Sequence, residues 1–168
     1  MKLFGASGFV IGALDQSGLI DLITMRGLID EIGPGHVITF HRAYDVAVDA
    51  HVAALDALDR LGFDYVLTSG RARDVTSGLD QLLEMEKIIK NKNLKISILA
   101  GGGVSTNSIE NILKFSKISN FHGSFSKKEF FENSIFDLGQ KYLTQSDLVK
   151  QAKVILDNSV QIWFINVI

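Results

Sequence analysis

"VITFHRAYDV", residues 37–46, opens with four uncharged residues and then sets His41, Arg42 and Asp45 within five positions. A buried ion without a partner costs several kcal/mol, so these charges belong where a strand leaves the core. The same transition recurs along the chain. The apolar runs "GFVIGAL" (8–14), "DYVLTSG" (64–70) and "KISILAGGG" (95–103), and a weaker "SNFHGS" (119–124), each give way to polar residues or glycine. Those endings are Asp15-Gln16-Ser17, Thr68-Ser69-Gly70-Arg71, Gly101-Gly102-Gly103 and His122-Gly123-Ser124. Start to start the runs lie roughly 25 to 31 residues apart, the length of one strand-plus-helix unit in a parallel sheet.

Helical stripes fill the intervals. Leu19, Ile20, Leu22, Ile23, Leu28, Ile29 and Ile32 keep one face, and Ala53, Ala54, Leu55, Ala57, Leu58 and Leu61 keep another. Gly33 and Gly62 stand where C-terminal caps belong. Leu79 to Ile89, Ile109 to Leu113 and Leu143 to Leu156 continue the pattern. Near-continuous apolar strands indicate a sheet covered on both faces.

Alternating βα units suit an open doubly wound sheet or a (βα)8 barrel. Polar signals after every strand, rather than at one crevice, favour the barrel. The expected fold is therefore α/β, a parallel (βα)8 TIM-barrel-like sheet, incomplete here with about five βα units. A full barrel takes about 250 residues, against 168 here. Residues 1–158 are expected to form this partial barrel, followed by an apolar tail at 159–168. On this reading the first strand and the strand near Phe121 each expose an edge, which favours self-association into a homo-oligomer. The tail segment "VQIWFINVI" is the natural candidate to cover one of them.

Composition narrows the function classes. The chain is 46% apolar and 21% charged, with one Pro and a net charge of -2. With 17 basic against 19 acidic residues, nothing attracts a phosphate backbone, so nucleic acid is not an expected partner. The apolar stretches are too short for a membrane span. Leu14 stands where a signal peptide would want a small cleavage residue. No cysteine is present, which excludes disulfides and thiolate metal sites and suits the cytoplasm.

The strand ends supply the candidate site. His41 can bind or shuttle a proton, with Arg42 holding an anion and Asp45 orienting either one. The plainer alternative is a structural Arg42–Asp45 pair tying a loop down. Gly101, Gly102 and Gly103, followed by Ser105-Thr106-Asn107, can seat an anion on inward-facing amides, with Gly123 and Ser124 as a second wall. They equally suit a tight turn with Thr106 or Asn107 as helix cap. Ser69 offers a hydroxyl at the same rim, followed by the cations Arg71 and Arg73. His36 belongs to the opposite rim, and His51 reads as a solvated or capping residue at a helix start.

Taken in order, "FGASGFVIGAL", "ITFHRAYDV", "LGFDYVLTSGRA", "ILAGGGV" and "NFHGSF" resemble the CutC family of copper homeostasis proteins, over roughly residues 3 to 126. The resemblance implies a cytosolic TIM-barrel-like protein linked to copper tolerance. It favours a pocket at His41, Arg42, Asp45, Ser69, Gly101 to Gly103, His122 and Ser124, with copper as a possible ligand of His41 and His122. The rival expectation is an enzyme acting on a small phosphorylated or carboxylated metabolite. The family's cysteine-containing N-terminal segments have no counterpart here, and copper(I) prefers thiolate and thioether ligands. Of those, the chain offers only Met1, Met25 and Met85.

Overall fold

The computed structural model of the chain describes residues 5–129, 141–159 and 165–166. The five apolar runs form β1 (Gly8–Ile11), β2 (Val37–Phe40), β3 (Tyr65–Thr68), β4 (Ser97–Gly101) and β5 (Asn120–His122). Between them lie α1 (Leu22–Ile32), α2 (His51–Leu61), α3 (Leu79–Lys92) and α4 (Thr106–Phe115). All five strands pair in parallel and lie in sequence order. A doubly wound sheet reverses its strand order part-way; this one never does, which is the winding of a βα barrel.

Register assigns the two faces. Phe9, Ile11, Ile38, Phe40, Val66, Ile98, Ala100 and Phe121 align across the ladder. The buried members of this row join Met25, Leu55, Leu58, Leu82, Met85, Ile109 and Ile112 of the helices in one core. Val10, Thr39, Tyr65, Leu67, Ser97, Leu99, Asn120 and His122 align on the opposite face, the interior side of a barrel. At the amino ends of the strands, carboxylates close the ladder. Asp64 Oδ2 accepts the Ile38 amide at 2.7 Å, and Asp59 Oδ1 accepts those of Lys95 and Ile96 at 2.6 and 2.8 Å.

Four expectations need correction. The Leu19–Ile32 stripe begins its helix only at Leu22, because Asp21 caps it by accepting the Thr24 amide at 2.9 Å. The cap of α4 is Ser105, in a reciprocal box with Ser108, rather than Thr106 or Asn107. The edge of β5 is not open: β8 (Ile165–Asn166) pairs with it in parallel, Phe121 opposite Ile165, so the apolar tail supplies a partner strand. The edge of β1 has no partner besides β2 among the described residues. β6 (Ser126–Glu129) and β7 (Lys141–Thr144) form an antiparallel pair ahead of α5 (Ser146–Asn158), so Leu143, expected to open the helical stripe that runs to Leu156, belongs to a strand instead. No helix among the described residues is long and apolar enough to cross a membrane.

Candidate functional site at the carboxyl ends of the strands

After Phe40 the chain cannot continue as β2 without burying Arg42 and Asp45, and it breaks into a 3-10 turn over Arg42–Val46. His41 caps that turn, its Nδ1 accepting the Ala43 amide at 3.1 Å. The neutral ring then carries its proton on Nε2. The imidazole lies against Gly12, where a side-chain carbon would come within 2.5 Å of it.

Asp45 is the hub. Its side chain is 7% exposed, and it accepts from Arg42 Nε at 2.7 Å, the Ser69 amide at 3.2 Å, the Arg71 amide at 3.1 Å and the Thr68 hydroxyl. Arg42 Nη2 donates to Ser69 Oγ at 2.8 Å, and that hydroxyl donates to the Ala72 carbonyl at 2.6 Å. The guanidinium crosses to β4 and lies over Gly102, where a side-chain carbon would meet Nη1 at 2.7 Å. That close approach, together with a φ of 107° at Gly102, accounts for glycine at position 102. Arg42, Asp45, Ser69 and Gly102 thus unite the ends of β2, β3 and β4.

The remaining candidates stand apart. Gly101 packs on Leu67 and on the His122 side chain, and Gly103 on Asp74. His122 shares the interior face with His41 but lies across β3 and β4 from it. Measured along the sheet, at about 4.8 Å per strand, the two backbones are on the order of 14 Å apart. Burial holds the His122 pKa below the ordinary histidine value. Ser124 is exposed and exchanges its hydrogen bond with Ser126 at 2.9 Å, outside the Asp45 network. Two concavities lie elsewhere, between α1 and α2 and between α4 and α5.

Among the described residues the soft donors and the two histidines lie apart. Met25 and Met85 are fully buried in the core, and Met1 lies outside the described residues. His41 has only Nε2 free. Among the described residues no three His, Cys, Asp or Glu side chains come together to hold a metal.

Sequence reasoning misjudged His51. It is buried, not solvated, because α3 packs over the first turn of α2. Tyr44, also fully buried, donates its hydroxyl to His51 Nδ1 at 2.8 Å, and Nε2–H donates to Gln81 Oε1 at 2.9 Å. This assignment satisfies all three groups only when the ring is neutral. Desolvation lowers the His51 pKa; Arg71 adds to the effect, while the Gln81 bond and the carboxylates Glu84 and Asp45 oppose it. Burial also raises the Tyr44 pKa. The unfolded chain takes up the His51 proton near pH 6.5 and the folded chain only at lower pH, so stability is complete above about 6.5 and falls below it. The urea midpoint should therefore drop from about pH 7.5 to about pH 5.5, with a slope of at most ~1.4 kcal/mol per pH unit from this ring. His51→Gln should flatten the slope, leaving the part that His122 contributes with the same sign. Equal slopes in the two proteins would remove His51 as a cause.

Comparison with known proteins follows the same boundaries. The family model described as "CutC family" matches residues 1–127. A copper homeostasis protein cutC homolog of Caenorhabditis elegans is 39% identical over 126 residues, 75% of this chain and 48% of that protein. The homolog of the same name in Homo sapiens is 37% identical over 145 residues, 86% and 49% respectively. The chain spans about half the length of these relatives. Among solved structures, a CutC of Streptococcus agalactiae superposes with a TM-score of 0.61 at 23% identity, covering 71% of this chain and 56% of that one. An enolase superfamily member from Salmonella Typhimurium gives 0.60 at 12%, covering 95% and 35%. Both support the barrel-type fold.

Proposed function

The chain belongs to the CutC family, and on that premise we propose that it takes part in copper homeostasis in the cytoplasm by binding a small oxyanion-bearing molecule at the strand-end rim, not by holding a copper centre. The observation that carries this reading is the network around Asp45, which fixes cationic and hydroxyl groups at the carboxyl ends of two adjacent strands, β2 and β3. That end is where βα barrels place their sites. The names of the relatives support the copper role; the chemistry of the rim supports the anion. The same rim also suits an enzyme acting on a small phosphorylated or carboxylated metabolite. A second copy of the chain is the proposed partner at the open edge of β1.

Copper(I) titration against a competing chelator tests the metal part. Weak binding is expected, confined to His41 and His122 and lost in the His41→Ala/His122→Ala double variant. Affinity in the range of thiolate proteins, or affinity that survives the double substitution, would overturn it. Sedimentation of the same sample reads the second copy: the monomer mass at every concentration would remove that partner.

A further inference from the structure

Besides the exposed Arg73, the rim contains Arg42 and Arg71, and the fold treats these two in opposite ways. Arg42 is consumed: Nε is held by Asp45 and Nη2 by Ser69. Arg71 hydrogen-bonds to the network only through its backbone. Its amide donates to Asp45 Oδ1 at 3.1 Å, and that bond holds the residue at a φ of 56°, a left-handed conformation that L side chains rarely adopt. The strained turn lays the guanidinium across the ring of Tyr44, with Cζ 4.9 Å from the centroid.

There the guanidinium meets the face of the Tyr44 ring. Nε and Nη2 are buried without a hydrogen-bond partner, and no ion pair reaches them among the described residues. Neither obvious acceptor is available. The oxygens of Asp45 are already filled by Arg42, Thr68, Ser69 and the Arg71 amide. The Tyr44 hydroxyl is committed to His51. A ring face offsets part of the desolvation of a guanidinium but accepts none of its five in-plane donors. A cation held in strained backbone, half-buried and short of acceptors, is complementary to a planar or tetrahedral oxyanion, which accepts two parallel N–H bonds from such a fork.

We propose that Arg71, not Arg42, is the residue through which the rim recognises its ligand, and that the ligand presents a carboxylate or phosphate group to it. The proposal rests on the rim reading above and adds the residue and the ligand chemistry. Since Nε and Nη2 are covered as they stand, binding draws the guanidinium along the Tyr44 ring toward the mouth. Arg42 and Asp45 then serve as the frame that positions Arg71.

The test uses inorganic phosphate and acetate as probes, with chloride at matched ionic strength to remove general salt effects. Calorimetric titration and thermal unfolding are followed in the wild-type chain, in Arg71→Gln and in Arg71→Gly, the last of which relieves the left-handed φ and so guards against misfolding. The expected result is saturable millimolar binding of at least one anion to the wild type, a raised Tm, and a changed tyrosine near-UV signal. Both variants should bind roughly tenfold more weakly or worse. A folded Arg71→Gly that keeps the wild-type affinity would overturn the role of Arg71 while leaving an oxyanion rim served by another cation. Absence of saturable binding of either anion to the wild type would overturn the rim reading as well. Preference for phosphate over acetate, or the reverse, identifies which group the ligand carries.

Discussion

Asp45→Ala should lower the free energy of unfolding by about 3–5 kcal/mol, a large share of the roughly 5–15 kcal/mol that holds a domain together. The magnitude follows from what one carboxylate does. It takes the charge of Arg42, the Thr68 hydroxyl and two backbone amides, those of Ser69 and Arg71, all where β3 leaves the sheet. Alanine offers these donors nothing, and water reaches the site poorly because the side chain is only 7% exposed. Each buried donor left unpaired costs about 1–3 kcal/mol, more for a charged one. Asp45→Asn should fall between, since it keeps one acceptor oxygen but turns an NH2 toward groups that themselves donate. Asp56→Ala is the control. Asp56 pairs with Arg60 at 2.9 Å, but that arginine is 77% exposed, and such surface pairs are worth about 0–1 kcal/mol. Urea unfolding decides between them: a loss for Asp45→Ala no larger than for Asp56→Ala would show that the network does not hold the rim.

The contrast between Asp45 and Asp56 marks how far the sequence alone could be read. That Asp45 closes a strand was legible, because an apolar run meeting three polar groups has one physical outcome. Its partners were half legible: Thr68 and Ser69 stood at the end of the next strand, but which hydroxyl met which oxygen depends on the stagger between β2 and β3. The order of the strands followed from repeating units, and the covering of β5 by the tail was readable only as a possibility because short apolar segments suit many places. Three features had no signal. Tyr44 and His51 lie seven residues apart on a turn and a helix start, and only the packing of α3 makes them a buried pair. Arg71 looked equivalent to Arg73 in a polar loop, since nothing local marks a left-handed φ at a residue other than glycine. The unlike fates of Arg42 and Arg71 depend on which of them Asp45 reaches with which atom.

Gly78 is the third unread feature, and it yields a prediction in which sign matters as much as size. It caps α3 with φ -94° and ψ 7°, a backbone any residue can adopt, and it contributes no side-chain cap that alanine would remove. Judged by conformation alone, Gly78→Ala should be neutral or stabilising, because glycine loses the most backbone freedom on folding. Space reverses the expectation. A side-chain carbon at Gly78 would stand 1.8 Å from the Ser69 carbonyl oxygen, and one at Gly70 would meet the Gly78 carbonyl oxygen at 2.4 Å, so the loop closes glycine against glycine. Ser69 cannot yield freely, since its amide is held by Asp45 and its hydroxyl by Arg42 and Ala72. Gly78→Ala should therefore cost about 3 kcal/mol or more, in the range of overpacked and network-breaking substitutions, and weaken oxyanion binding by displacing the turn that carries Arg71. Gly27→Ala, inside α1 with nothing within 4 Å of the added carbon, should instead stabilise by about 0.5–1 kcal/mol. Opposite signs in urea unfolding are the expected result. Equal small gains would mean that the 69–78 loop does not close on the strand-end network, and the frame proposed for Arg71 would fall with it.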